Sequence, residues 1–150
     1  MKTSASIEID RSIDDVFAYT NDNVAEWSLT VIEDNPTNDQ RGIGATFHCV
    51  TVDHGCRMDF DGQVTAWDPP HRSAIEMVGK QFDIHAEYLF ERIHDHRTRV
   101  TQNAVVKPKG FMRLVMFCIG WLMAKQGHDA VQKELKSLQE KLESGVGVTQ

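Results

Sequence analysis

Several protein classes are excluded by what this chain lacks. It has three cysteines, Cys49, Cys56 and Cys118, scattered and with no CxxC pair. That spacing argues for free thiols in a reducing compartment, not for a disulfide framework. No apolar run reaches the roughly 20 residues that span a bilayer. The longest, Phe111–Ala124, is interrupted by Arg113. The opening residues hold no apolar stretch of signal-peptide length. Basic residues are in deficit, 16 Lys and Arg against 22 Asp and Glu, for a net charge of −6. A general nucleic-acid binder needs a basic face, so no nucleic-acid partner is expected. GxSxG, Walker, Rossmann and HExxH motifs are all missing. There are no repeats and no low-complexity segment. What remains is a cytoplasmic globular protein. At 150 residues it is most simply one domain over 1–144, followed by a loose tail at 145–150.

What the chain does contain is alternation. Ala5, Ile7 and Ile9 share one face of a first strand, with Ser4, Ser6 and Glu8 on the other. Ser12-Ile13-Asp14-Asp15 resembles a capping box and opens a short helix carrying Val16, Phe17 and Tyr19. Asn21-Asp22-Asn23 breaks it, and Val24–Trp27 adds one turn. A short strand follows at Leu29–Glu33, then a loop at Asn35–Asp39. Gly42-Ile43-Gly44 introduces Ala45–Asp53, His54-Gly55 turns, and Arg57–Trp67 returns with Met58, Phe60, Val64 and Ala66 on one face. Asp68-Pro69-Pro70-His71 turns again. Ile75 and Met77 mark the inner face of Ser73–Val78. Phe82, Ile84, Ala86, Tyr88 and Phe90 line the next strand, and Val100, Gln102, Ala104 and Val106 the last.

A long C-terminal helix is predicted within Lys107–Leu142, opened by Pro108 and Gly110 and unbroken by proline before Gly145. Leu114, Phe117, Trp121, Ala124, His128, Val131, Leu135, Leu138 and Leu142 recur at spacings of three and four, which is one stripe of a helix. Beyond Val131 the other positions are polar. From Phe111 to Ala124 they are mostly apolar, so this half needs cover on several sides or a partner. Gly120 and Gly127 leave a kink open. The order is strand, two short helices, six strands, long helix. Short hairpins imply an antiparallel sheet with one wet and one covered face, hence an α+β domain.

Val16-Phe17-Ala18-Tyr19, Trp27, Gly42-Ile43-Gly44, Asp68-Pro69-Pro70-His71-Arg72, Thr98-Arg99-Val100-Thr101 and Pro108-Lys109-Gly110 occur in that order. Together they resemble the polyketide cyclase/dehydrase and lipid-transport family of the START-like, or helix-grip (SRPBCC), superfamily. The resemblance covers nearly the whole chain. It implies a seven-stranded antiparallel sheet curled around a long C-terminal helix, with two short helices between strands 1 and 2. It also implies a hydrophobic cavity between sheet and helix. Family members handle lipids, polyketides and other apolar or aromatic molecules, without a shared catalytic signature.

The cavity candidates are Tyr88, Gln102, His48, Phe60, Phe90, Met77, Arg113, Phe117, Trp121 and His128. Tyr88 sits on an apolar row, where its phenol can meet a ligand oxygen or be an ordinary core tyrosine. Gln102 interrupts Val100, Ala104 and Val106, and a buried amide needs partners from a ligand, a neighbour or water. His48 is a general base if it points inward and a solvated histidine if not, the latter favoured. His128 lies on the helical stripe, and a hydrogen-bonded histidine at the wet end of the core is the plainer reading. Arg113 meets a ligand carboxylate at the cavity mouth or, more commonly, reaches solvent. No metal and no cofactor is expected: His94-Asp95-His96 lies in a turn and cannot complete a four-ligand site unaided.

Three functions compete. The first is binding of a small hydrophobic molecule, for transport or sequestration. The second is a cyclase or dehydratase, weakened because no carboxylate is assigned to an inner row. The third is a membrane or partner-chain contact through Phe111–Ala124, using Met112, Met116, Met123, Phe111 and Trp121. Ligand identity and oligomeric state stay open.

Overall fold

In the computed structural model, residues 2–144 are described, apart from the side chains of 119–126. The chain runs β1 (Lys2–Ile9), α1 (Ile13–Asp22), α2 (Val24–Trp27), β2 (Val31–Pro36), β3 (Thr46–Asp53), β4 (Cys56–Asp68), β5 (Arg72–Gly79), β6 (Phe82–His94), β7 (Arg97–Pro108) and α3 (Phe111–Glu143). The strands form one antiparallel sheet in the order β1-β7-β6-β5-β4-β3-β2. Consecutive hairpins build β2 to β7, and β1 joins the far edge beside β7. This is the helix-grip fold: a curled sheet with one long helix laid against it. The expected tail at 145–150 lies outside the described residues.

Local chemistry explains the ends of the elements. Ser12 Oγ accepts the Asp15 N–H at 3.3 Å and caps α1. Gly42 takes φ +83, and a Cβ there would come within 2.8 Å of the Trp67 ring, so glycine is required on both counts. Gly110, at φ +56, separates β7 from α3. Lys109 fixes that joint: its N–H reaches Gln81 O at 2.8 Å, and its Nζ reaches Gly79 O at 2.7 Å and Asp83 at 3.0 Å. The first turn of α3 is therefore held at the β5–β6 turn. α3 is one uninterrupted helix, so neither Gly120 nor Gly127 ends it.

The main core fills one end of the molecule. Ile9, Val16, Trp27, Val100, Leu135, Leu138 and Leu142 are fully buried there, with Phe17 and Phe90 beside them. Burying a leucine is worth about 1.5–3 kcal/mol, so the three leucines of α3 dominate its attachment. Polar tethers add direction. Ser137 Oγ donates to Trp27 O at 2.6 Å, Gln139 Nε2 to Glu8 O at 2.8 Å, and Arg11 to Glu143 O at 3.0 Å. α3 packs chiefly on β1, with a smaller contact on β7.

The stripe reading of α3 holds only for its second half. Leu135, Leu138 and Leu142 are buried, but Leu114 is 61% exposed and Phe117 89% exposed. In the first half, Met116 is the buried residue among those described. One other expectation is corrected by a bulge. A register shift between Val64 and Ala66 pairs Ala66 with Ala74 and Trp67 with Ser73. Ala66 therefore leaves the face of Met58, Phe60 and Val64, and Trp67 takes its place inside. A second shift, between Val31 and Glu33, sets Val31 opposite Thr51 and Asp34 opposite Cys49. The strand runs on to Pro36, where a loop was expected.

Candidate functional site

The inner face of the sheet is best read as transverse rows, since paired residues on neighbouring strands share a face. The deepest polar row is Gln102–Tyr88–Ser73–Trp67, from β7 to β4. Next toward the open end comes Ala104–Ala86–Ile75–Val64, then Val106–Ile84–Met77–Gly62–Phe47. Phe60 and Cys49 follow, with Asp34 at the edge. Below the polar row lie Phe90 and Val100, part of the main core.

The wall changes character along these rows. At the polar row Tyr88 meets Trp27 edge-on at 6.3 Å and stacks with Phe90 at 6.5 Å. Toward the open end a second cluster forms around Cys49, Phe60 and Met77. Its remaining members, among them Phe47, Met58, Ile75, Phe82 and Ile84, are only half-buried. A large apolar residue left half-covered on a concave face is surface without a protein partner. Two glycines make room for rings on this wall. Phe47 lies over Gly62 and Phe60 over Gly79, and a Cβ at either glycine would collide with the ring. At the rim a cavity of about 340 Å³ opens between Met58, Phe60 and Phe82 on its apolar side and Cys56, Arg57, Asp59, Lys80 and Gln81 on its polar side. It lies six residues along β6 from Tyr88, about 20 Å at strand rise.

Polar groups on this wall are few and poorly partnered. Ser73 is 1% exposed, and among the described residues its Oγ has no partner, nor do the buried Thr51 Oγ1 and Gln102 Oε1. No described residue hydrogen-bonds the Tyr88 hydroxyl, and burial, then the Glu134 charge, raises its pKa. Asp34 makes no side-chain hydrogen bond among the described residues, and burial raises its pKa. Burial pushes the Cys49 thiol up to about 12, with Asp34 adding to it, so Cys49 is no ready nucleophile. Glu134 projects from α3 to accept Ser28 Oγ at 2.7 Å and the Leu29 N–H at 2.8 Å. Burial still outweighs these bonds and raises its pKa. Among the described residues no group of three or more metal-ligating side chains converges.

A family model described as polyketide cyclase/dehydrase and lipid transport matches residues 1–143. The chain belongs to this family. Among curated protein sequences, none matches. Solved structures with the same fold include TTHA0849 from Thermus thermophilus, at 16% identity and TM-score 0.81, covering 97% of this chain and 99% of that one. A START superfamily protein from Mycobacterium smegmatis matches at 14% identity and TM-score 0.70, over 97% of this chain and 96% of that one. The di-domain ARO/CYC StfQ from the steffimycin biosynthetic pathway matches at 13% identity and TM-score 0.70, over 95% of this chain and 44% of that one. At such identities the likeness is one of fold.

In this polyketide cyclase/dehydrase family member the candidate residues separate into two groups. Tyr88, Gln102, Phe60, Phe90 and Met77 share the inner face. His48 stands on the outer face, opposite Asp61 at 3.2 Å and 3.5 Å from Asp59. The Asp61 hydrogen bond raises its pKa. Arg113 and His128 are exposed, as is Phe117. The side chain of Trp121 lies outside the described residues. Residues that pattern reading passed over are Ser73, Trp67, Asp34 and Glu134. The serine could have been found, since it alternates with Ile75 and Met77. The other inward positions depend on bulges or on tertiary packing.

Proposed function

We propose that the protein binds a small hydrophobic or aromatic molecule in the concavity between its sheet and α3. One observation carries this: the half-buried apolar wall of Phe47, Met58, Ile75, Phe82 and Ile84 beside a cavity of about 340 Å³. Small-molecule sites are mostly apolar with a few placed polar groups, about 300–1,000 Å³ in size. Membership of a family named for polyketide and lipid chemistry supports the same reading. Fluorescence titration with N-phenyl-1-naphthylamine tests it. Saturable binding at one site per chain is expected, weakened by Met77→Glu. A linear, unsaturable signal overturns it.

Peripheral membrane contact is a second reading, favoured by Phe111 at 76%, Leu114 at 61% and Phe117 at 89% exposure on one helix end. Arg113 and Lys107, both exposed, flank them. Among the described residues no helix is long and apolar enough to cross a membrane, so the contact is superficial. Flotation with anionic vesicles, lost in Phe117→Glu, supports it; no flotation removes it. Turnover of cyclase or dehydratase type is the narrower alternative, with Tyr88 and Asp34 as acid/base groups. Unchanged turnover of polyketide-like substrates in Tyr88→Phe and Asp34→Asn excludes both.

A further inference from the structure

We propose that Ser73, Tyr88 and Gln102 form a seat for a neutral hydroxyl or phenol group on an otherwise apolar ligand, and that the site rejects carboxylates. This rests on the binding reading above and specifies its ligand. The three residues are consecutive partners on β5, β6 and β7, all facing inward. Neighbouring strands lie about 4.8 Å apart, so the three side chains span roughly 10 Å. Ser73 is 1% exposed, and among the described residues neither its Oγ nor the buried Gln102 Oε1 has a partner. The Tyr88 hydroxyl has no hydrogen bond from a described residue. Native interiors seldom leave polar atoms in this state, and two on one row of an apolar wall, with the Tyr88 hydroxyl between them, point to an external partner.

The chemistry of that partner follows from the donor and acceptor set. The Gln102 Oε1 only accepts, while the Ser73 and Tyr88 hydroxyls do both. A ligand hydroxyl beside Tyr88 can donate to Gln102 while accepting from the phenol, or bridge the phenol and Ser73. A carboxylate finds no cation on the row to offset the cost of taking its charge out of water. The Glu134 carboxyl group acts on the Tyr88 phenol and, when ionised, repels an anion. On the open side the next row is Ala104–Ala86–Ile75, two alanines that leave width for a flat or chain-like body.

Three matched probes test the seat at neutral pH: 2-naphthol, naphthalene and 2-naphthoate. Binding of 2-naphthol is expected to exceed that of the other two by at least about tenfold, a preference on the scale of one added hydrogen bond to a buried group. In the Tyr88→Phe/Gln102→Met variant the naphthol preference is expected to collapse to within about twofold, with naphthalene bound at least as tightly as by the parent. Both substitutions are close in volume, and thermal melts check that the fold survives; Ser73→Ala gives an independent smaller change of the same sign. If the wild type binds all three probes alike, or the variants keep the preference, a trapped water serves the row and the seat is refuted while apolar binding stands. If no probe binds, both readings fall.

Discussion

Phe117 stands 89% exposed on the same stripe of α3 that carries Leu142, which is fully buried. They are 25 residues apart, about seven turns at 3.6 residues per turn, so an ideal helix aims both the same way. The sheet meets the helix at Leu142, and the described contacts place that meeting on β1 and β7. Truncation therefore discriminates the two halves. Leu142→Ala is expected to cost about 2–5 kcal/mol in chemical denaturation. Phe117→Ser is expected to stay within about 0.5 kcal/mol of the parent. Equal losses would mean that the first half of α3 is packed after all.

Asp34 gives a pH signature of definite sign. Its folded pKa is raised by burial, so the fold favours the protonated form. Its stabilising contribution is complete below the ordinary carboxylate range and is lost as pH rises through the folded value. Asp34→Asn removes that loss. The variant is expected to melt higher than the parent at pH 7, by an amount reduced by solvent screening of this half-buried group. The difference should shrink toward zero as pH falls below the ordinary carboxylate range. A lower melting temperature at pH 7 would show that the carboxylate is stabilised by an interaction the geometry lacks.

Glu134 behaves differently although its pKa moves in the same direction. Its carboxylate holds the α2–β2 connection through Ser28 Oγ and the Leu29 N–H. Glu134→Ala leaves those donors unpaired and is expected to cost about 1–3 kcal/mol. Glu134→Gln keeps an acceptor oxygen and should recover most of it. Amide exchange of Leu29 is the direct readout, faster in the alanine variant and near the parent rate in the glutamine one.

Gly62 tests the shape of the wall. The Phe47 ring occupies the space that a side chain at Gly62 would need. Gly62→Ala should displace the ring and cost about 1–3 kcal/mol, as overpacking does. The double variant Gly62→Ala/Phe47→Leu should recover part of the loss. Simple additivity of the two changes would argue that ring and glycine are not in contact.

These cases also show what pattern reading reaches. Simple alternation is enough for β6, where Phe82 to Phe90 gives one inner face, and for β7, where Gln102 stands out among valine and alanine. It fails where the count of two is interrupted. The bulge near Thr65 moves Ala66 out and Trp67 in, and the bulge near Ile32 carries Asp34 onto the inner row. A bulge changes the face of every later residue without leaving a composition signal. For His48 alternation does not tell the faces of β3 apart, because both rows of that strand carry apolar residues. The first half of α3 misleads for another reason. Its apolar spacing is genuine, but spacing reports which residues share a side and says nothing of whether a neighbour lies there.

The central claim is that the open end of the sheet is an apolar wall available to a ligand. Methyl-resolved NMR of Met58, Ile75, Met77 and Ile84 during titration with naphthalene tests it most directly. The account predicts saturable shifts at these four residues and little change at Leu135, Leu138 and Leu142. Shifts confined to Leu114, or none at saturating probe, would contradict it.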